Sequence, residues 1–349
     1  MARLHRTGRS VSRREELGIP LAQVTRVRCA RVVYVALAMV AASACAATIR
    51  STAKTPIGPE QLAELWAPPR DIRAQDLYNG PWGREFAPDA NAEYTFVKEK
   101  THGVSPGMTV RDPRGVEWNV KQGAEARIEV VASRILSAAG YHQPPVYYLP
   151  QWRLRNGPTP GIQAEGRFRP KLKQLRNRGE WSWQRNPFVG TQPYRGLLVI
   201  LEILNSSDLK NSNNSLYEVR GRGSTGPRVW YVVRDVGTAL GETGRLDPKR
   251  GDPDLFERHP FIDGVGDGFV RLDYHGRHQE LFDHTIRPAD VRWACSLLAK
   301  LTDEQWRDAF RASGYGDDLA SRFIRRIQEK IRIGLSLRDD GSFTTASAR

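Results

Sequence analysis

The 349-residue chain carries only three cysteines, Cys29, Cys45 and Cys295. Neither a disulfide framework nor a cysteine-built zinc site can therefore organise its fold. Any metal must sit on oxygen ligands or histidine. No uncharged apolar run reaches the roughly 20 residues that a membrane-spanning helix needs. No internal repeat is visible, and no low-complexity polar tract dominates, since 40% of residues are hydrophobic, 26% are charged and nine are Trp. That composition describes a globular chain, long enough for one large two-lobed domain or for two ordinary ones.

The formal charge of +14 suggests a polyanion partner at first sight, but residues 1–50 hold nine Lys+Arg against two Asp+Glu, half of that excess. Val32–Ala44 is thirteen residues without a charge, preceded by Arg26, Arg28 and Arg31 and followed by small residues up to Ala47. Residues 1–47 thus have the layout of an export signal. Ala42-Ser43-Ala44 suits cleavage, and a start near Val24 would shorten an unusually long basic leader. The expected location is exported, periplasmic or cell envelope. The leader, or a lipidated Cys45, offers a route to membrane association.

Beyond it, residues 48–92 read as an irregular arm. Tyr94–Glu99, Met108–Arg111 and Gly115–Lys121 are strand-like, with a turn at Asp112-Pro-Arg-Gly115. Ala124–Ala139 is an amphipathic helix, because Ile128, Val131, Ile135 and Leu136 recur at three- and four-residue spacings before Gly140 and Pro144. Val146–Leu149 and Gly161–Phe168 suggest two further strands. Residues 169–193 read as a basic, Trp-containing connector. Tyr194–Leu204 is apolar nearly all round, as a buried helix is. After a polar loop at 205–215, Val229–Val233 is a strand running into Asp235-Val236-Gly237. The last third is helical: Pro288–Leu301, then Asp303–Ala312 opened by the capping-box pattern Thr302-Asp-Glu-Gln305, then Asp318–Leu335. Residues 336–349 read as a disordered tail.

Phosphoryl transfer from a nucleotide asks few groups of a protein: a Lys on the phosphates, a carboxylate to fix that Lys, metal-holding Asp and Asn, and an Asp to orient the attacking hydroxyl. Lys121 ends a strand whose alternation separates it from Val120. Glu129, eight residues on in the next helix, can hold its ammonium, with Glu125 as second choice.

The loop Ser207-Asp208-Leu209-Lys210-Asn211-Ser212-Asn213 resembles the protein-kinase catalytic loop, with Asp208, Lys210 and Asn213 on its three chemical positions. Asp235-Val236-Gly237 resembles the kinase metal motif, with Val in the aromatic place. Over roughly residues 93–335 the chain resembles the kinase-like superfamily, nearer its atypical branches: HipA-like toxin kinases, phosphoinositide kinases and secreted kinases. It also resembles a family of exported bacterial proteins of unassigned function, through Trp181–Phe188 (W-x-W-x-x-N-P-F) and Asn205–Asn214 (N-x-x-D-L-K-x-x-N-N). Asn205-Ser206-Ser207 stands where kinases place His-Arg. Gly103 and Gly107 replace a Gly-x-Gly-x-x-Gly loop, and there is no Ala-Pro-Glu.

The resemblance implies an α+β, two-lobed protein-kinase-like fold, with a small antiparallel β lobe carrying one helix (93–168) and a larger mainly helical lobe (194–335). It implies ATP, or another purine nucleotide, bound with Mg²⁺. Lys121 and Glu129 would serve the phosphates with Gly103 and Gly107, Asn213 and Asp235 would hold metal, and Asp208 and Lys210 would serve transfer to a protein, lipid or small-molecule acceptor. A pseudokinase without turnover is the nearest alternative. The other is an envelope protein gripping an anionic polymer, since Trp181 and Trp183 in the basic stretch 167–185 could stack on bases. A nucleic-acid partner is not expected.

Overall fold

The computed structural model describes residues 49–100, 105–220, 228–244 and 249–344. The expected leader at 1–47 and Gly103 lie outside these residues. Residues 49–92 form an arm with one short helical turn, Pro59–Leu62, and a three-residue bridge of 3₁₀ helix at Arg84–Phe86. Strands follow at Glu93–Glu99 (β1), Gly107–Arg111 (β2) and Glu117–Lys121 (β3), then a helix at Glu125–Ala138 (α1). Four short strands come next: Tyr147–Leu149 (β4), Trp152–Arg155 (β5), Gly161–Gln163 (β6) and Gly166–Pro170 (β7).

These seven strands make one sheet in the order β4-β7-β3-β2-β1-β5-β6. Every neighbouring pair is antiparallel except β1 and β5, which run parallel. The expected single strand Gly161–Phe168 is two strands, broken at Ala164-Glu165, and β5 was not anticipated. Alternation puts Tyr94, Val110, Trp118, Val120, Trp152, Leu154 and Phe168 into a core of their own. Aromatic edges close it, with Tyr94, Trp118 and Trp152 all against Phe168 at centroid distances of 5.2–6.1 Å.

Helix α1 ends as its sequence suggests. Gly140 takes φ +97°, Tyr141 N donates to Leu136 O and Gly140 N to Ser137 O, which together satisfy the last carbonyls. A side chain at Gly140 would also run into the Ala67 carbonyl, at 2.4 Å from the added carbon. The apolar face of α1, with Ile128, Val131, Ile135 and Leu136, joins the second and larger core.

That second core is built on the helix Gln192–Ile203 (α2), capped by Thr191 and buried along nearly its whole length. Leu175–Gly179 (β8), Asn214–Val219 (β9) and Val229–Val233 (β10) form a three-stranded sheet with β9 in the centre. A short helix Pro253–Arg258 (α3) and the hairpin Ile262–Gly266 (β11) and Phe269–Leu272 (β12) precede three helices: Pro288–Leu298 (α4), Asp303–Arg311 (α5) and Asp317–Ser336 (α6). The capping box forms at Thr302 and Gln305. The chain is thus α+β, with a sheet-built core and a separate, mainly helical one, as expected.

Two expectations are corrected by packing. In the stretch 169–193, β8 pairs with β9 and keeps most of its residues exposed, while Trp181 and Trp183 are 4% and 0% exposed, so neither can stack on a base. Where a disordered tail was expected, Leu337 is buried and bridges Phe343, and Asp339 pairs with Arg292. The remaining residues of that tail, 345–349, are outside the described set.

Candidate active site

Lys121 is the last residue of β3, paired across the ladder with Gly107 of β2. A side chain at Gly107 would meet the Val120 carbonyl at 2.6 Å, so this glycine serves close strand approach. The ammonium of Lys121 is buried and faces three carboxylates. Glu129 Oε1 is its tightest partner, Glu125 Oε2 lies at 2.6 Å, and Asp235 Oδ1 at 3.0 Å. Glu129 and Glu125 are one turn apart on α1, so both expected candidates for the partner of Lys121 reach it. Asp235 comes from the segment after β10, 114 residues away in sequence. The oxygens of Glu125, Glu129 and Asp235 lie within 4.8 Å of one another, close enough to share a cation.

These carboxylates are not equivalent. The side chain of Glu129 is 1% exposed and also takes Arg167 Nε at 2.8 Å and Arg169 Nη2 at 3.4 Å. Glu125 accepts from Ser105 Oγ at 2.7 Å and from Arg250. Asp235 keeps 36% of its side chain exposed, so it is the member of the trio that solvent or a ligand can reach. Burial works against its ionisation, but the Lys121 ammonium, with Glu129 and Arg167 adjoining, outweighs it and holds the carboxyl well below its ordinary range.

Sequence reading missed three cations here. Arg167 and Arg169 alternate on β7, so a period of two puts both on one face; that signal was legible. Burial, with Arg167 beside it, pulls Arg169 down to about 9 despite the Glu129 carboxylate. Lys100 follows β1 directly, and burial together with Lys121 lowers its pKa.

The expected catalytic loop leaves α2 through Asn205, in the left-handed region at φ +53°. Asn213 Nδ2 donates to Asp208 O at 2.6 Å and to its Oδ2 at 3.3 Å. Asn213 O accepts from Arg234 N and Asp235 N at 3.0 and 3.1 Å. One residue therefore ties Asp208 to Asp235. Asp208 Oδ2 meets Lys210 Nζ at 2.8 Å, and Oδ1 meets Arg277 Nε at 3.4 Å. Arg277 was not anticipated; its own amide donates to Ser207 O at 2.8 Å, an anchor only tertiary structure creates.

The two asparagine- and tryptophan-bearing motifs brace this loop. Trp183 N donates to Asn211 Oδ1 at 2.9 Å, Asn214 Nδ2 to Trp181 O at 3.1 Å, and Trp181 Nε1 to Val232 O at 3.0 Å. Below it, Asn205 Nδ2 donates to Gly241 O at 2.5 Å and its Oδ1 accepts from the fully buried Lys330 of α6. Burial lowers Lys330 to about 7, against the pull of Glu202.

No family model and no curated protein sequence matches the chain. Among solved structures it is similar to the proinflammatory kinase CtkA of Helicobacter pylori, at 10% identity over 70% of this chain and 95% of that one, with a TM-score of 0.44. It is similar also to the Rio2 kinase of Chaetomium thermophilum in complex with ADP/Mg²⁺ and phosphoaspartate, at 13% identity over 67% and 71% of the two chains, TM-score 0.28. A third is a Golgi casein kinase with Mn/ADP bound, at 10% identity over 68% and 72%, TM-score 0.26. All three are kinases.

Proposed function

We propose that the protein is an exported, kinase-like phosphotransferase that binds a purine nucleotide with Mg²⁺ between its β-rich part (93–168) and its helical part (194–335). The observation that carries this reading is a single run of contacts. It goes from Glu129 to Lys121 to Asp235, through the Asn213 carbonyl, and on to Asp208. A strand-end Lys fixed by a helical Glu, beside an Asp after a second strand, is what phosphate positioning asks of a protein.

In this reading Lys121 contacts the nucleotide phosphates and Glu129 positions it. Asp235 is the carboxylate of the Lys121 trio that keeps 36% of its side chain exposed, and Asn213, joined to it through the Asp235 amide, would hold the metal with it. Mg²⁺, when bound, neutralises phosphate charge. Asp208 orients the acceptor hydroxyl and takes its proton, while Lys210 screens the transferring group. Gly107 would lie on the nucleotide side; Gly103, expected beside it, is outside the described residues. The acceptor is a protein, a lipid or a small molecule. Export to the periplasm or envelope rests on the leader, with membrane association through it or through Cys45; cell fractionation tests that part separately.

The test is a melting-temperature series with ADP and ATP, with and without Mg²⁺. A ligand of the native state at a hundredfold excess over its Kd stabilises by about 2.7 kcal/mol. We expect a rise that requires Mg²⁺ and is lost in Asp235→Ala. No rise with any nucleotide at saturating concentration refutes nucleotide binding. A rise without any measurable phosphoryl transfer identifies a pseudokinase.

A further inference from the structure

On the side of α1 away from Lys121, Arg134 is 2% exposed, its Nε has no hydrogen-bond partner, and it is in no ion pair among the described residues. Its guanidinium lies over the Tyr147 ring at 5.5 Å. It forms part of the wall of a cavity of about 320 Å³ together with Gln75, Asp76, Leu77, Gly80 and Ser137. Gly80, at φ +76°, leaves the space its Nη1 needs, since an added carbon there would come within 2.3 Å. The cationic end of Arg134 therefore meets the cavity where Gly80 lines it.

A guanidinium carries five N–H donors that cannot be switched off by deprotonation at ordinary pH, even though burial draws this one down to about 10. An unpaired buried charge is strongly unfavourable. Asp76 offsets it only in part. It makes no ion pair with Arg134, and its two oxygens accept from Asn79 N at 2.8 Å and Asn79 Nδ2 at 2.7 Å. An oxyanion facing Arg134 would compensate its charge, and the negative Asp76 disfavours a doubly charged one.

We propose that this cavity binds a small organic carboxylate, with its carboxylate on the Arg134 guanidinium in the two-pronged geometry such pairs prefer. The adjoining cavity of about 440 Å³ shares Gln75, Pro81 and Ser137 as wall and is lined by Trp82, His142 and Trp230, with His142 stacked on Trp230 at 4.5 Å. A flat apolar body extending from the carboxylate would lie against those rings. The site is on the helix that carries Glu125 and Glu129, but it shares no residue with the nucleotide reading and stands without it.

The probe is benzoate, titrated into the full chain at constant ionic strength, with neutral benzamide as its isostere and inorganic phosphate as the dianionic competitor. We expect a saturable rise in melting temperature of roughly 5 °C at a hundredfold excess over Kd, with no rise for benzamide. Arg134→Met should abolish the rise and, without ligand, melt at or above the wild type. Ser137→Leu fills the cavity, keeps the cation and should also abolish it. The proposal is overturned by a wild type that does not respond, by an equal response in either variant, or by phosphate outperforming benzoate. It is equally overturned if unliganded Arg134→Met melts well below the wild type, because the protein itself would then be satisfying the guanidinium.

Discussion

Replacing Glu129 by Gln keeps the shape of the side chain and removes the one charge that three buried cations share. Lys121, Arg167 and Arg169 all reach Glu129, whose side chain is 1% exposed. Glu125 and Asp235 remain for Lys121, but among the described residues Arg167 and Arg169 form an ion pair with no other carboxylate. Breaking a buried pair from one side costs about 3–5 kcal/mol, because the partner charge is left without compensation. At roughly 2–4 °C per kcal/mol for a chain of this size, the melting temperature should fall by roughly 6–20 °C. Glu117 provides the control. It pairs with Arg111 and Lys171, each at 2.7 Å, but at 28% side-chain exposure, so Glu117→Gln should cost less than about 1 kcal/mol. Calorimetric melts of both variants at neutral pH make the comparison. Adding Arg169→Met to Glu129→Gln should recover part of the loss, the non-additivity expected of groups in one network. A Glu129→Gln variant that melts within about 2 °C of wild type would refute the reasoning, since water and not Glu129 would then be solvating those cations.

Asp208→Ala should leave Mg²⁺-dependent nucleotide binding nearly intact while phosphoryl transfer falls about 10²–10⁴-fold, the loss typical of a positioned base; Lys121→Ala should weaken binding and turnover together, and a transfer rate indifferent to Asp208→Ala removes that assignment. The carboxyl of Asp235 is held low in the folded state, so it contributes stability above the unfolded Asp value of about 3.9, and that contribution is lost as the pH falls through its folded value. Urea titrations between neutral and acid pH should therefore show a shallower acid limb in Asp235→Asn, and an unchanged limb would mean that Asp235 is not ionised against Lys121. Gly196 of α2 faces Trp293 so closely that an added carbon would stand 2.1 Å from the indole. Gly196→Ala should thus lose about 1–3 kcal/mol to overpacking, more than the gain of about 1 kcal/mol in helix propensity; a variant more stable than wild type would show that Trp293 swings clear.

Much of the architecture was readable because it is local. The three-four periodicity of Ile128, Val131 and Ile135 and the Gly140 stop specify α1 before anything packs on it, and the same holds for Thr302 as a cap. The eight-residue step from Lys121 to Glu129 and the five-residue step from Asp208 to Asn213 were likewise visible, since each spans a single turn or loop. The short strands β5 and β8 were not. Their residues, such as Arg153 and Arg176, are polar on the solvent side, and strand character there comes from pairing with β1 and β9, partners far along the chain.

Residue types, spacings and the order of strands and helices are properties of the sequence by itself, and they already single out Lys121, Glu129, Asp208, Asn213 and Asp235. Which charges meet is decided only by the tertiary structure. The pairing of β3 with β7 brings Arg167 and Arg169 beside Glu129, and the turn after β10 delivers Asp235 to Lys121 across 114 residues. The same fold leaves Arg134 buried beside a cavity while the carboxylate of Asp76 in that wall accepts from Asn79. The reason is physical: burial and Coulomb energies depend on distances between segments remote in sequence, which local periodicity does not encode.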